Sequence, residues 1–171
     1  MRINRVFVRY LAYSLEIILL WVLQSSPKLF PELWGTKPFF LLALAMSIAA
    51  CEDVIPSLIF GAVCGALADL SASGGVGFFS ITFVLVCFAQ ASLLGTYLNR
   101  NFFTFIVLTV AASVAVTGLY FLLFRLAAGV PDSGALFLTR YPARMGLTAA
   151  AAVPLYFLNR FLSKSLTAAQ R

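Results

Sequence analysis

Of the chain's 171 residues, 62% are hydrophobic and 11% are charged, against about 45 to 50% and about 25% in soluble domains; so little charge excludes a soluble domain on a single anchor. The net charge of +6 comes from bases at the ends of apolar runs, where they meet lipid headgroups, and no basic patch interleaved with aromatics is there to bind nucleic acid. Histidine is absent, which removes Ser-His and Cys-His nucleophilic pairs, His-x-x-Glu-His metal helices and His-ligated haem.

Apolar runs at 6–24, 38–51, 54–70, 78–98, 102–124 and 145–162 predict an all-α polytopic membrane protein, a compact bundle of about six transmembrane helices forming one domain over residues 1–171. The first run follows Arg2, Arg5 and Arg9 as the core of a signal peptide would. Glu16 interrupts it, however, and Gln24-Ser25-Ser26-Pro27 offers no small-x-small cleavage site, so it is expected to stay attached as a span. Glu16 sits where a charge costs at least roughly 2.5 to 3.5 kcal/mol unless it is protonated, paired or turned to a cavity. It is expected to face the bundle interior, either neutral and bonded to a hydroxyl such as Ser14 or Thr82, or as a contact for a partner or substrate.

A loop over 25–37 carries Trp34 as an interfacial anchor. The second run, 38–51, is shorter than the roughly 20 residues of a full crossing and depends on its neighbour. Glu52-Asp53 makes the turn of a tight hairpin, Asp53 is placed to N-cap the third helix, and Pro56 falls in its first turn, where a missing N–H does little harm. A turn at membrane depth needs its carboxylates enclosed by protein or reached by water.

In the third run Gly61, Gly65 and Asp69 are four residues apart, on one helix face. Small residues there let another helix approach closely. Three readings fit: intramolecular packing with Asp69 bonded to the turn at Ser71 or Ser73, docking of a partner helix, or ligand contact. Cys51, Cys64 and Cys87 match no disulfide or zinc pattern and are read as small packing residues. The segment 71–77 is a Ser/Gly turn, and 125–144 is the longest connector, with Gly129, Pro131, Asp132 and Gly134 expected to break any helix. Arg125, Arg140 and Arg144 read as interfacial anchors. The 17 Phe and 6 Tyr are expected in lipid-facing and interface zones, with no stacking site assigned.

With both termini on one side, Arg2, Arg5, Arg9, Arg100, Arg160, Lys164 and Arg171 share it, facing Lys28, Lys37, Arg125, Arg140 and Arg144 on the other. That seven-to-five bias, with the cluster of bases before the first span, leads to the expectation that both termini lie in the cytoplasm. Of the acids Glu16, Glu32, Glu52, Asp53, Asp69 and Asp132, just Glu16, Asp69 and the 52–53 turn could meet at depth, and no second intraspan Asp matches Asp69. The expectation is a non-catalytic protein with no cofactor and no metal.

Four features together resemble the bacterial rod shape-determining MreD family. Lys37-Pro38 opens a short second span; Gly61 to Asp69 runs Gly-x-x-x-Gly-x-x-x-Asp; Ser71-Ala-Ser-Gly74-Gly-Val-Gly77 precedes an aromatic-rich fourth span; and Pro154-Leu155-Tyr156 lies in the last. Phe39 departs from the polar or acidic residue that often follows the proline. The resemblance implies a scaffold of the cell-elongation machinery in the bacterial cell membrane, binding an MreC-like bitopic membrane protein and other elongation-machinery proteins, and so linking the cytoskeleton to peptidoglycan synthesis. Its partner contacts would be Gly61, Gly65, Asp69 and Glu16. The alternative is the substrate-binding component of an energy-coupling-factor vitamin transporter, with Ala149 to Ala152 and the Gly61 face against the energising scaffold. Against it, Ala12 is the one alanine of the first span, and the loops offer few polar groups for selecting a ligand.

Overall fold

The structure, a computed structural model, describes residues 2–26, 38–71, 77–96, 100–126 and 133–168. Regular structure among them is entirely helical: α1 Arg2–Ser25, α2 Phe40–Cys51, α3 Val54–Ser71, α4 Phe78–Thr96, α5 Phe102–Tyr120 and α6 Ser133–Ala168, with a π-helical turn at Phe121–Leu126 extending α5. Five stretches, Val6–Ser25, Val54–Ser71, Phe78–Thr96, Phe102–Phe124 and Pro142–Ser163, are long and apolar enough to cross a membrane. The chain is an all-α, multi-pass membrane bundle.

The helices alternate in direction. Arg9 of α1 pairs with Glu52, and Arg160 of α6 lies by Cys51. The start of α1, the α2–α3 turn and the finish of α6 therefore share one end, called here the terminal end. Trp21 of α1 donates to Ser71 at the finish of α3, and Thr148 of α6 meets Phe39 at the start of α2, at the opposite end.

At the centre stands the shortest helix. Each residue from Phe40 to Ala50 is buried, and α2 touches every one of the other five helices. Its 12 residues rise about 18 Å at 1.5 Å per residue, so both ends stop short of a hydrocarbon core of about 30 Å. The dependence expected of the short run is met by a sheath of helices, not by α3 alone. Ala43, Ala45, Ala49 and Ala50 let those helices approach, while Leu41, Leu42, Leu44, Met46 and Ile48 fill the gaps between them. Since lipid tails are as apolar as leucine, close packing rather than escape from solvent holds this core.

Several boundaries differ from expectation, α1 starting at Arg2 rather than Val6 and α6 finishing at Ala168 rather than Leu162. Helix α2 starts at Phe40, leaving Pro38 outside it, and α6 starts at Ser133 rather than Met145, running through Gly134 and Pro142. Helices in bundles tolerate such residues because neighbours re-satisfy the freed backbone groups. Glu32, Trp34, Lys37, the turn 72–76 with Ser73 and Gly74, and Gly129, Pro131 and Asp132 lie outside the described residues, as do the side chains of Arg125 and Arg140.

The aromatics gather within the bundle more than expected. Tyr120 stacks on Phe79 at 5.4 Å and 17° beside Phe78 and Phe124, joining α4 to α5 at the opposite end. Tyr156 stacks on Phe105 at 4.5 Å and 21°, joining α6 to α5 nearer the terminal end.

Candidate functional site

The Gly61–Asp69 face forms a seam, and its occupant is α4. A Cβ on Gly65 would sit 2.5 Å from the Cα and 2.9 Å from the N of Ser80, and 2.7 Å from the O of Phe79. One on Gly61 would meet the Cys87 sulfur at 3.0 Å. Backbone cannot give way as a flexible side chain does, so Gly65 is the tighter position. The partner-docking expectation for Gly61 and Gly65 is thereby corrected: an internal helix fills the space a foreign helix would need.

Asp69 completes the seam. Its carboxylate accepts hydrogen bonds from the Phe79 N–H at 2.9 Å, the Ser80 N–H at 2.9 Å and the Ser80 hydroxyl at 2.6 Å. These are orphan donors in the first turn of α4, normally served by a side chain just before the helix. Here that place belongs to Gly77, whose φ of +93° favours glycine and which has no side chain to offer. A carboxylate from α3 therefore caps α4 and sits at the positive end of its dipole. The partner is not Ser71, whose hydroxyl donates to the Leu67 carbonyl and accepts from Trp21.

The ends of α2 are closed in the same way. At its start the Phe39 N–H donates to the Thr148 hydroxyl oxygen of α6 at 3.0 Å, and the Leu41 N–H to the Gln24 side-chain oxygen of α1 at 3.2 Å. Phe39 itself packs on Phe79 and Phe83 and lies under the Arg144 guanidinium at 4.9 Å. At its finish Arg100 donates to the Cys51 carbonyl at 3.1 Å. Glu52, 5% exposed, is held by Arg9 at 3.0 Å and by the Tyr13 hydroxyl at 3.0 Å. Burial pushes the Glu52 carboxyl above its ordinary value, and Arg9 opposes that rise. The turn's carboxylate is thus enclosed by protein. Asp53 supplies the carbonyl for the first backbone bond of α3, from Ser57, while its exposed carboxylate lies 3.7 Å from Arg100.

Glu16 faces the interior, beside Asn159 of α6. Neither suggested hydroxyl serves it: Ser14 donates to the Tyr10 carbonyl and Thr82 to the Phe78 carbonyl. Asn159 donates at 2.6 Å to Ser47 of α2, which donates onward to the Leu44 carbonyl. Both Glu16 oxygens and the Asn159 side-chain oxygen are buried with no hydrogen bond of good geometry. Glu16, Ser47 and Asn159 thus form a polar junction of α1, α2 and α6, and the structure does not bring Glu16 to Asp69.

Two concavities lie among the described residues. A cleft of about 390 Å³ at the opposite end is lined by Trp21, Gln24, Ser25, Pro38, Leu70, Ser71 and Arg144. A groove of about 220 Å³ runs between α4 and α5, with alanine walls and with Met46 and Gln90 at its floor. Gln24, Gln90, Thr148 and Asn159 escaped the sequence reading, which weighed formal charge; an amide or hydroxyl inside an apolar run was the signal to follow. Among the described residues no group of three or more His, Cys, Asp or Glu could hold a metal ion. Compared with models of protein families, with curated proteins and with solved structures, the chain matches none.

Proposed function

We propose that the chain is a non-catalytic scaffold of the bacterial cell-elongation machinery, lying in the cell membrane with both termini in the cytoplasm and binding an MreC-like bitopic protein. What carries this reading is the use made of its polar side chains. Asp69, Glu52, Arg9, Arg100, Gln24 and Thr148 are all engaged with helix ends or with the α2–α3 turn. Such side chains hold a rigid shape, and among the described residues these acids and bases are spent on structure rather than left to act on a substrate. The outward surface is apolar, from Phe7 and Leu15 on α1 through Ile59 on α3 to Val107 on α5 and Phe161 on α6, and helix packing is the recognition such a surface offers at depth. The MreD-like motifs supply the particular machinery.

The test is co-purification from native membranes with the MreC-like protein, together with depletion in a rod-shaped host. Stoichiometric recovery of that partner and rounding of depleted cells are expected. Unchanged cell shape with no such partner recovered rejects the reading.

The 390 Å³ cleft favours a second reading, a vitamin-binding transport component, since it combines an aromatic with polar groups at a size suited to a small ligand. Native mass spectrometry of the purified protein would then find a stoichiometric vitamin, whereas the scaffold reading expects none.

A further inference from the structure

We infer that the groove between α4 and α5 is the docking site for a single transmembrane helix of a partner protein, one that presents a hydroxyl or amide donor to Gln90. This rests on the scaffold reading and locates its contact. The groove exists because α4 leans on α3 and α5 on α6, leaving α4 and α5 loosely joined over much of their length. Its rims are the exposed Ala89 on α4 and Ala111 and Ala115 on α5, the last two one turn apart, with Ala112 buried behind them. Small rims of this kind admit a helix backbone at close range.

The second, independent observation is Gln90. It is 1% exposed, its amide nitrogen donates to the Met46 carbonyl at 2.9 Å, and its side-chain oxygen has no donor. The amide cannot be reversed, because its oxygen would then face the Met46 carbonyl oxygen. Gln90 lies about 18 Å along α4 from Phe78 at 1.5 Å per residue, well inside a hydrocarbon core of about 30 Å. An unsatisfied acceptor at that depth is costly, and Gln90 lines the groove.

The chemistry of the occupant follows. Acyl chains carry no donor. Among the described residues a second copy of this chain is the poorer source: the exposed positions on its spanning helices at that depth are apolar apart from Ser14, whose hydroxyl is committed to Tyr10, and Ser92 is half-buried. What remains is a foreign helix bearing Ser, Thr, Asn or Gln flanked by small residues.

The experiment is site-specific photocrosslinking in the full chain, co-expressed with its single-span MreC-like partner, from positions 89, 93, 111 and 115, with 59 and 63 on α3 as lipid-facing controls. Co-purification is measured in parallel for Gln90→Leu and for Ala111→Leu with Ala115→Leu. Crosslinks from the groove and not from α3 are expected. Retention of the partner should fall about three- to twentyfold in Gln90→Leu, the span of measured interhelical hydrogen bonds, and be lost when leucines fill the groove, with the thermal unfolding of the Ala111→Leu, Ala115→Leu variant unchanged. If the partner co-purifies normally with every variant and crosslinks elsewhere, the groove is overturned and the scaffold reading stands. If wild type recovers no partner, both fall. Groove crosslinks between two copies of this chain, or to lipid alone, overturn the proposal.

Discussion

Every residue of α2 from Phe40 to Ala50 is buried, whereas α5 buries one face, through Phe105, Thr109, Ala112, Ser113, Val116 and Thr117, and gives Phe103, Val107 and Val114 to lipid. Both are apolar along their length, so hydropathy alone does not tell a helix that lives among helices from one that meets lipid. Length does, together with the treatment of the ends. Helix α5 is long enough to carry its ends towards the membrane surface. Helix α2 stops inside, and its first N–H groups and last carbonyls are met by side chains from α1, α6 and the segment before α5.

The sharpest way to break that contrast is Gly65→Leu. Its Cβ alone would fall 2.5 Å from the Ser80 backbone, so α3 and α4 must part, at a cost above about 4 kcal/mol, the range of severe overpacking and network loss. Loss of the monodisperse peak on size-exclusion chromatography in detergent is expected, whereas Val107→Leu on the lipid face of α5 should elute as wild type.

Next in size is the clamp on the α2–α3 turn. Arg9→Ala leaves a Glu52 that is 5% exposed without its cation, and removing one partner of a buried pair costs about 3 to 5 kcal/mol. Thermal unfolding should show that loss, with most of it recovered in Arg9→Met combined with Glu52→Leu. A double variant no better than Arg9→Ala would mean that the pair does more than neutralise itself.

Asp69→Ala removes the cap from α4 and should cost about 1 to 2 kcal/mol, as strong N-caps do, with Asp69→Asn between the two. Hydrogen exchange confined to the first turn of α4 would register it, and equal exchange in wild type and variant would refute the cap. Smallest is Glu16→Gln, which keeps the side chain's shape beside Asn159 and should lower thermal stability less than Asp69→Ala does. A large loss would show that the junction of α1, α2 and α6 needs the acid itself.

The bundle was legible in the sequence because apolar runs of sufficient length declare themselves: α3 at Val54–Ser71 and α4 at Phe78–Thr96 lie within two residues of expectation. The start of helix α6 was not, because Gly134 is a breaker in water and a tolerated residue in a bundle. The Gly61–Gly65–Asp69 face was visible as a seam, since four-residue spacing defines a face; what fills a face is tertiary information, and α4 fills it. Gln24 and Thr148 were missed for the same reason. Their roles exist only where a foreign helix end lies against them, which no spacing within α1 or α6 encodes.

The borrowed caps of α2 also bear on synthesis. Thr148 and Asn159 belong to the last helix, so a ribosome that has delivered α1 through α5 has supplied Gln24 for the Leu41 N–H but neither the acceptor of the Phe39 N–H nor the amide that anchors Ser47. The central helix, among the first to leave the ribosome, is therefore among the last to be finished. A nascent chain stopped before α6 leaves the Phe39 N–H without its hydroxyl acceptor at the heart of the bundle.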